Sequence, residues 1–132
     1  MDSAPKGKVL LVEDDEQVRS FVRMLLITNG YEVLEASNGA EGLELAEQNS
    51  ADIDLLLSDM LLPELSGYDL AVKVLELRPQ IKILFMTGYV EGDIVQRSMS
   101  ELNASFIDKP FQPSVLVAQV QQAIGAARRE VA

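Results

Sequence analysis

Five short apolar runs alternate along the chain with segments in which apolar residues recur at helical spacing, and no other feature constrains the fold as strongly. Short apolar runs bounded by turn residues predict strands. Because these runs lack a strict alternation of apolar and polar residues, they predict strands that are covered on both faces. The five runs are Lys8–Val12, "YEVLEA" ending at Ala36, "IDLLLSD" ending at Asp59, "IKILFMT" ending at Thr87 and "ASFID" ending at Asp108.

The segments that follow the runs predict five helices. The first stops at Asn29-Gly30, and Asn38 is a plausible N-cap for the second. The fourth, from about Gly92, has the thinnest apolar face. Strands that alternate with helices predict an α/β fold with a doubly wound parallel sheet of five strands. The apolar face of the first helix comprises Val18, Phe21, Val22, Leu25 and Leu26.

The length of 132 residues matches one ordinary domain. We expect an N-terminal tail over residues 1–7, the domain over 8–129 and a C-terminal tail over 130–132. No linker or second domain is left over.

Eleven basic and twenty-one acidic residues give a net charge of −10, which argues against direct binding to nucleic acid or to an anionic membrane. No apolar stretch approaches the roughly 20 residues of a membrane span, and "MDSAPKGK" lacks the apolar core of a signal peptide. We therefore expect a cytoplasmic protein.

The chain contains neither cysteine nor histidine. Disulfides and thiolate chemistry are excluded, and the commonest general base and metal ligand is missing. Any chemistry must rest on carboxylates, hydroxyls and lysine.

Polar residues of these types stand at the ends of the predicted strands. Ligands of open parallel sheets bind outside the carboxyl ends of the strands. Three carboxylates, one hydroxyl and one ammonium therefore converge on one edge of the predicted sheet. They belong to Glu13, Asp14, Asp59, Thr87 and Lys109.

Three carboxylates without a cation would repel one another strongly. Oxygen ligands without histidine or cysteine select a hard cation, Mg²⁺ or Mn²⁺. One carboxylate can then act as a nucleophile toward phosphorus, while Lys109 and Thr87 hold phosphoryl oxygens. The pattern thus permits phosphorylation of an aspartate. Each residue also has a plainer interpretation, such as an acidic helix start for Glu13 and Asp14, and that interpretation is the better one for Asp15 and Glu16.

Four segments together resemble the signature segments of the response-regulator receiver domain of two-component signalling. In order, they are "VLLVEDD", "LLLSDMLLPELSG", "FMTGY" and "FIDKPF". The resemblance covers about Lys8 to Gly125, and it implies a flavodoxin-like three-layer sandwich with strand order 2-1-3-4-5, as in chemotaxis regulators.

The resemblance also implies a role for each site residue. Asp59 looks like the phosphoacceptor. Mg²⁺, which Mn²⁺ can replace, would be held by Asp14, Asp59 and the backbone carbonyl of Leu61, with Glu13 in support through water.

Three further residues resemble the phosphoryl-binding and switch positions of the family. Thr87 would follow the phosphoryl group, Lys109 would bind it, and Phe106 would turn inward on activation. The Lys109-Pro110 peptide bond is a cis candidate, because this bond is usually cis in receivers.

The function implied is that of a phosphoacceptor rather than an enzyme. Asp59 would receive a phosphoryl group from a sensor histidine kinase or a histidine phosphotransfer protein. The face formed by the fourth helix, the fifth strand and the fifth helix would then bind a downstream partner.

Other functions stay open. Haloacid-dehalogenase phosphatases also use an aspartyl nucleophile, but they place a second Asp two residues further on, where this chain has Leu61. A flavodoxin-like cofactor module would bind phosphate in a first loop that is acidic here, and a pseudo-receiver would bind partners without phosphorylation. The segments also look like receivers at the C-terminus of hybrid histidine kinases, which act as relay intermediates, so a stand-alone regulator and a part of a larger protein both fit.

Overall fold

The computed structural model describes residues 6–49, 52–88 and 92–131, without the side chains of 92–94 and 126–131. The predicted N-terminal tail lies outside the described residues except for Lys6 and Gly7. The strands are β1 (Lys8–Val12), β2 (Glu32–Ala36), β3 (Leu55–Asp59), β4 (Lys82–Thr87) and β5 (Ser105–Asp108). The helices are α1 (Glu16–Thr28), α2 (Gly39–Asn49), α3 (Gly67–Leu77), α4 (Gly92–Leu102) and α5 (Pro113–Val131).

All five strands are parallel and lie in the order β2-β1-β3-β4-β5, which confirms the predicted fold. The strand order reverses at β1, which pairs with β2 on one side and with β3 on the other. Asp59 at the end of β3 is in register with Met86, and Thr87 at the end of β4 is in register with Asp108. The carboxyl ends of the strands therefore meet at one edge of the sheet.

The sheet has a hydrophobic core on each face. Successive residues of a strand point to opposite faces, so Leu10 and Leu56 belong to one core while Val9 and Leu55 belong to the other. Residues from α2 and α3 complete the first core, and residues from α1 and α5 complete the second. Burial on both faces explains why the strands read as continuous apolar runs.

Polar side chains cap three of the helices. At the start of α2, the side-chain oxygen of Asn38 accepts from the amide of Glu41 at 2.8 Å, which confirms Asn38 as the N-cap of the second helix.

The carboxylate of Asp15 accepts hydrogen bonds from the backbone amides of Gln17 and Val18, which confirms the prediction that Asp15 belongs to the helix start. The hydroxyl of Ser66 likewise accepts from the amide of Asp69 at the start of α3.

The buried stripe of α1 is narrower than its apolar pattern. Val22 and Leu26 are fully buried, whereas Phe21 remains 49% exposed although it belongs to the predicted apolar face.

In the described part of the chain, no helix combines the length and the apolar character needed to cross a membrane.

The start of α3 lies directly against the backbone at the end of β3. A Cβ atom added at Gly67 would stand 2.8 Å from Cα of Met60 and would overlap the carbonyl oxygen of Asp59. The amide of Gly67 also donates to the carbonyl of Met60 at 3.0 Å. Only glycine permits this close approach, since the atoms in the way are backbone.

We predict that Gly67→Ala lowers the free energy of unfolding by about 2–3 kcal/mol, because the new methyl group forces α3 away from β3. Urea unfolding followed by circular dichroism measures this change. Gly88→Ala is the matched control, because nothing lies within 4 Å of its added Cβ. Equal stability of the two variants would contradict the prediction.

Candidate functional site

The ammonium group of Lys109 joins the ends of three strands. Its Nζ donates to Oδ2 of Asp59 at 2.7 Å and to Oε1 of Glu13 at 2.8 Å. The exposed fraction of the side chain is 24% for Lys109, 14% for Asp59 and 1% for Glu13. These charge-assisted hydrogen bonds are largely removed from water, and they are therefore stronger than a surface ion pair.

Three carboxylates form one cluster at this edge. Oxygen atoms of Glu13, Asp14 and Asp59 all lie within 4.8 Å of one another. With the single positive charge of Lys109, the ionised cluster keeps two negative charges. A divalent cation matches this excess charge, and a set of oxygen ligands matches Mg²⁺. The residues present therefore fit a magnesium site.

Burial and the ion pairs act in opposite directions on these groups. Burial raises the pKa of Glu13 above its ordinary value, although the hydrogen bonds from Lys109 and from the amide of Asp15 lower it in part. For Lys109, burial lowers the pKa, but the hydrogen bonds to Asp59 and Glu13 outweigh it and the net pKa is raised. Lys109 is therefore protonated at neutral pH.

Backbone groups hold the remaining carboxylate oxygens. Oδ1 of Asp59 accepts from the amide of Leu61 at 3.0 Å, and Oε2 of Glu13 accepts from the amide of Asp15 at 3.1 Å. The side chain of Leu61 is 64% exposed, so it adds an apolar group to the rim of the site. Both oxygens of Asp59 thus have a fixed donor.

Two polar side chains at the site were not predicted from the sequence. Nη1 of Arg19 donates to the carbonyl of Glu13 at 2.8 Å, and the buried hydroxyl of Ser58 donates to the carbonyl of Asp59 at 2.8 Å. Both bonds end on the backbone of a site residue. The sequence carries no signal for Arg19 that Arg23 lacks, and Ser58 is conspicuous only as a hydroxyl inside an apolar run.

Thr87 stands at the end of β4 beside this cluster. Its side chain is buried, and its Oγ1 has no hydrogen-bond partner among the residues that the structure describes. Its carbonyl accepts from the amide of Lys109 at 2.8 Å. A buried hydroxyl without a partner is uncommon in folded proteins. Thr87 therefore has an unused donor close to the lysine of the site.

Phe106 lies on β5 and packs against the buried ring of Phe85, with 5.6 Å between the ring centroids. A surface cleft of about 470 Å³ lies beside it. The cleft is lined by Thr87, Val95, Met99, Ala104, Ser105, Phe106 and Asp108.

The peptide bond between Lys109 and Pro110 is cis.

The structure thus brings Glu13, Asp14, Asp59 and Lys109 into one cluster, with the amide of Leu61 on its rim. Thr87 and Phe106 lie on the neighbouring side, around the cleft.

Comparison with known proteins gives the family of this fold and site. The family model of the response regulator receiver domain matches residues 9–121. The chain is similar to the sensor kinase CckA of Brucella abortus, with 33% identity over 92% of this chain and 13% of that protein. It is equally similar to the response regulator receiver protein CpdR of Brucella abortus, with 33% identity over 91% of this chain and 98% of that protein. The chain therefore spans a small part of one relative and nearly all of the other.

Solved structures give the same result. A CheY-like receiver domain protein from Methanospirillum hungatei superimposes with a TM-score of 0.85 and 30% identity, over 94% of this chain and 98% of that one. The receiver domain of the hybrid histidine kinase CckA superimposes with a TM-score of 0.77 and 35% identity, over 89% of this chain and 99% of that one.

Receiver domains of two-component systems are phosphoacceptors that work with histidine kinases or phosphotransfer proteins, and they typically use Mg²⁺. The fold, the strand order and the family match agree with one another. The chain belongs to the response regulator receiver domain family.

Proposed function

We propose that Asp59 accepts a phosphoryl group from a histidine kinase or a histidine phosphotransfer protein, in a Mg²⁺-dependent reaction, and that residues 8–129 form the receiver unit. The observation that carries the proposal is the position of Lys109, whose Nζ lies 2.7 Å from Asp59 inside a cluster of three carboxylates. An ammonium beside an ionised carboxylate can bind the oxygens of a phosphoryl group that the carboxylate attacks.

The proposed transfer needs no base, because the carboxylate of Asp59 is already a nucleophile. An oxygen of Asp59 forms a bond to phosphorus while the bond from phosphorus to the donor histidine nitrogen breaks, and the imidazole leaves with the electron pair. Lys109 neutralises negative charge on the transferred oxygens. The product is an acyl phosphate on Asp59.

The residues that would hold Mg²⁺ are Asp14, Asp59 and the backbone carbonyl of Leu61, with Glu13 in support. When bound, the cation neutralises charge on the phosphoryl oxygens as a Lewis acid. Asp14 is the exposed carboxylate of the cluster, and it lies where an ion can reach it from solvent.

The switch would run through Thr87 and Phe106. The unpartnered hydroxyl of Thr87 gains an acceptor when a phosphoryl oxygen arrives nearby, and the cleft beside Phe106 gives its ring room to move. The face made by α4, β5 and α5 would then change shape and bind a downstream partner. Phosphorylation would act by shifting the population of two states.

We also propose that the chain works as a phosphoacceptor and not as a turnover enzyme. A hydrolase needs a general base near the acyl phosphate, and the residue two positions after Asp59 is the apolar Leu61. The phosphoryl group would therefore be lost slowly, which suits a signal.

The same chemistry serves a stand-alone regulator and the receiver of a hybrid kinase, and the chain is similar to a protein of each kind. The two uses differ in the next step, because a relay intermediate passes its phosphoryl group on to a phosphotransfer histidine. The two uses can be distinguished by mixing the phosphorylated chain with candidate phosphotransfer proteins and measuring whether the phosphoryl group moves to their histidine.

We predict that Asp59→Asn abolishes phosphorylation by acetyl phosphate, since an amide is a poor nucleophile. Intact-mass spectrometry with and without Mg²⁺ measures the phosphoryl adduct. The control is Asp52→Asn, which removes an exposed carboxylate away from the site. Unchanged labelling of Asp59→Asn would overturn the proposed function.

We predict that Lys109→Met destabilises the metal-free protein at pH 7 by about 1–3 kcal/mol, because two carboxylates lose their buried partner. The folded protein holds a proton on Glu13 to a higher pH than the unfolded chain does, because burial raises the pKa of Glu13. Without Lys109 the pKa of Glu13 is raised further, because the hydrogen bond and the charge that lower it are lost. The stability of the variant therefore rises more steeply than that of the wild type as the pH falls through this pKa, and the deficit of the variant shrinks toward low pH. Urea unfolding at several pH values in EDTA measures it.

The control for this variant is Lys73→Met, which removes the same charge from an exposed position on α3. We expect its stability to follow the wild type at every pH. A deficit of Lys109→Met that grows toward low pH would contradict the assignment.

We predict that Leu61→Asp shortens the lifetime of the phosphorylated protein at least about tenfold, since it supplies a general base beside the acyl phosphate. The loss of the phosphoryl adduct over time, measured after removal of acetyl phosphate, gives the rate. Leu61→Met keeps an apolar side chain and should keep the lifetime. Equal rates for the two variants would show that Leu61 has no part in the slow hydrolysis.

A further inference from the structure

We propose that Arg19 is a positioning residue for the divalent-cation site, because it holds the carbonyl of Glu13 and thereby orients the loop that carries Glu13 and Asp14. The inference rests on the function proposed above, and it assigns the preorganisation of the site to a side chain outside the acidic cluster.

Arg19 bridges two strands. Its Nη1 donates to the carbonyl of Glu13 at 2.8 Å, and its Nε donates to Oε1 of Glu35 at 3.2 Å. The side chain is only 17% exposed. The flat guanidinium makes both bonds at once, which a lysine ammonium on its flexible stem does far less well. The end of β1 is thereby fixed to Glu35 of β2.

The carbonyl that Arg19 holds belongs to the peptide unit between Glu13 and Asp14. This unit is planar, so fixing the oxygen also fixes the amide of Asp14 and the direction in which its chain continues. The amide and both carboxylate oxygens of Glu13 have other partners, namely Ala36, Asp15 and Lys109. Arg19 therefore fixes the peptide unit before the exposed ligand Asp14, while the bond from the amide of Asp15 to Glu13 fixes the peptide unit after it.

Charge and position predict opposite effects for Arg19. A positive charge near a cation site repels the cation, so its removal alone would strengthen Mg²⁺ binding. If Arg19 acts by holding the loop, its removal weakens Mg²⁺ binding although a repulsive charge is lost. The sign of the change in affinity therefore separates the two roles.

The test uses Mg²⁺ alone, titrated calorimetrically into the metal-free full chain. We expect Arg19→Gln to weaken Mg²⁺ binding about tenfold, as is typical when support behind a metal ligand is removed. Amide hydrogen exchange at Asp14 and Asp15 should accelerate in the same variant. With acetyl phosphate, the half-saturating Mg²⁺ concentration should rise, while the rate at saturating Mg²⁺ stays close to that of the wild type.

Arg23→Gln is the matched control. Arg23 pairs with the same carboxylate, with Nε 2.8 Å from Oε2 of Glu35, and Arg19 is the arginine bonded to Glu13. Its replacement removes the same charge, so we expect the Mg²⁺ affinity to be at least that of the wild type and the exchange of both amides to stay at the wild-type values.

Folded Arg19→Gln that binds Mg²⁺ as tightly as the wild type, or more tightly, would overturn the inference. If Arg19→Gln does not fold, Arg19→Lys and Glu35→Gln decide: both should weaken Mg²⁺ binding, and unchanged affinity in both overturns it. Failure of the proposed function looks different. In that case the wild type itself binds no Mg²⁺, and Asp14→Asn changes nothing.

Discussion

The site depends on one ammonium group that is shared between two carboxylates. Lys109 at the end of β5 lies within hydrogen-bond distance of Glu13 after β1 and of Asp59 at the end of β3. In the sequence, Glu13 lies 96 positions and Asp59 lies 50 positions before Lys109, and only the parallel sheet brings the three residues together. If the sheet had another strand order, the carboxylates would meet without their counter-ion, or the lysine would be buried without a partner.

This arrangement favours chemistry over stability. Desolvation of a carboxylate and an ammonium costs several kcal/mol for each ion, and their mutual attraction seldom gives a large surplus. Glu13 shows the effect directly, because burial raises its pKa although Lys109 is bound to it. The burial of apolar side chains in the two hydrophobic cores on the faces of the sheet offsets the desolvation cost of the site. The excess negative charge that remains is what makes the edge attractive to a cation.

The sequence predicts what depends on local pattern and on strand ends. Apolar runs that end in Asp59, Thr87 and Asp108 locate the strands and hence the edge at which their polar residues meet. The start of α1 at Asp15 is equally local, because a capping carboxylate needs only the next two or three amides. The family resemblance adds the residue roles and the strand order.

The remaining features depend on tertiary packing. Arg19 and Arg23 lie on the same face of α1 and both pair with Glu35, but Arg19 is one turn nearer the start of the helix, where it reaches the carbonyl of Glu13. Phe21 is 49% exposed although it belongs to the apolar pattern of α1, because burial depends on what the helix packs against as well as on the hydrophobicity of the residue. The hydroxyl of Thr87 lacks a hydrogen-bond partner among the described residues, and this follows only from where its neighbours lie in space. None of these features can be predicted from the spacing of residue types alone.

The close contact at Gly67 limits how the end of β3 can move relative to α3. The backbone of Asp59 is in contact with the first residue of α3, and α3 is in turn anchored in a core by Leu70, Ala71 and Val74. The main chain at Asp59 therefore has little room to move toward α3. If Asp59 is phosphorylated as proposed, the resulting change would pass to side chains on the other side, toward β4 and β5. The contact at Gly67 would thus set the direction in which the proposed signal travels.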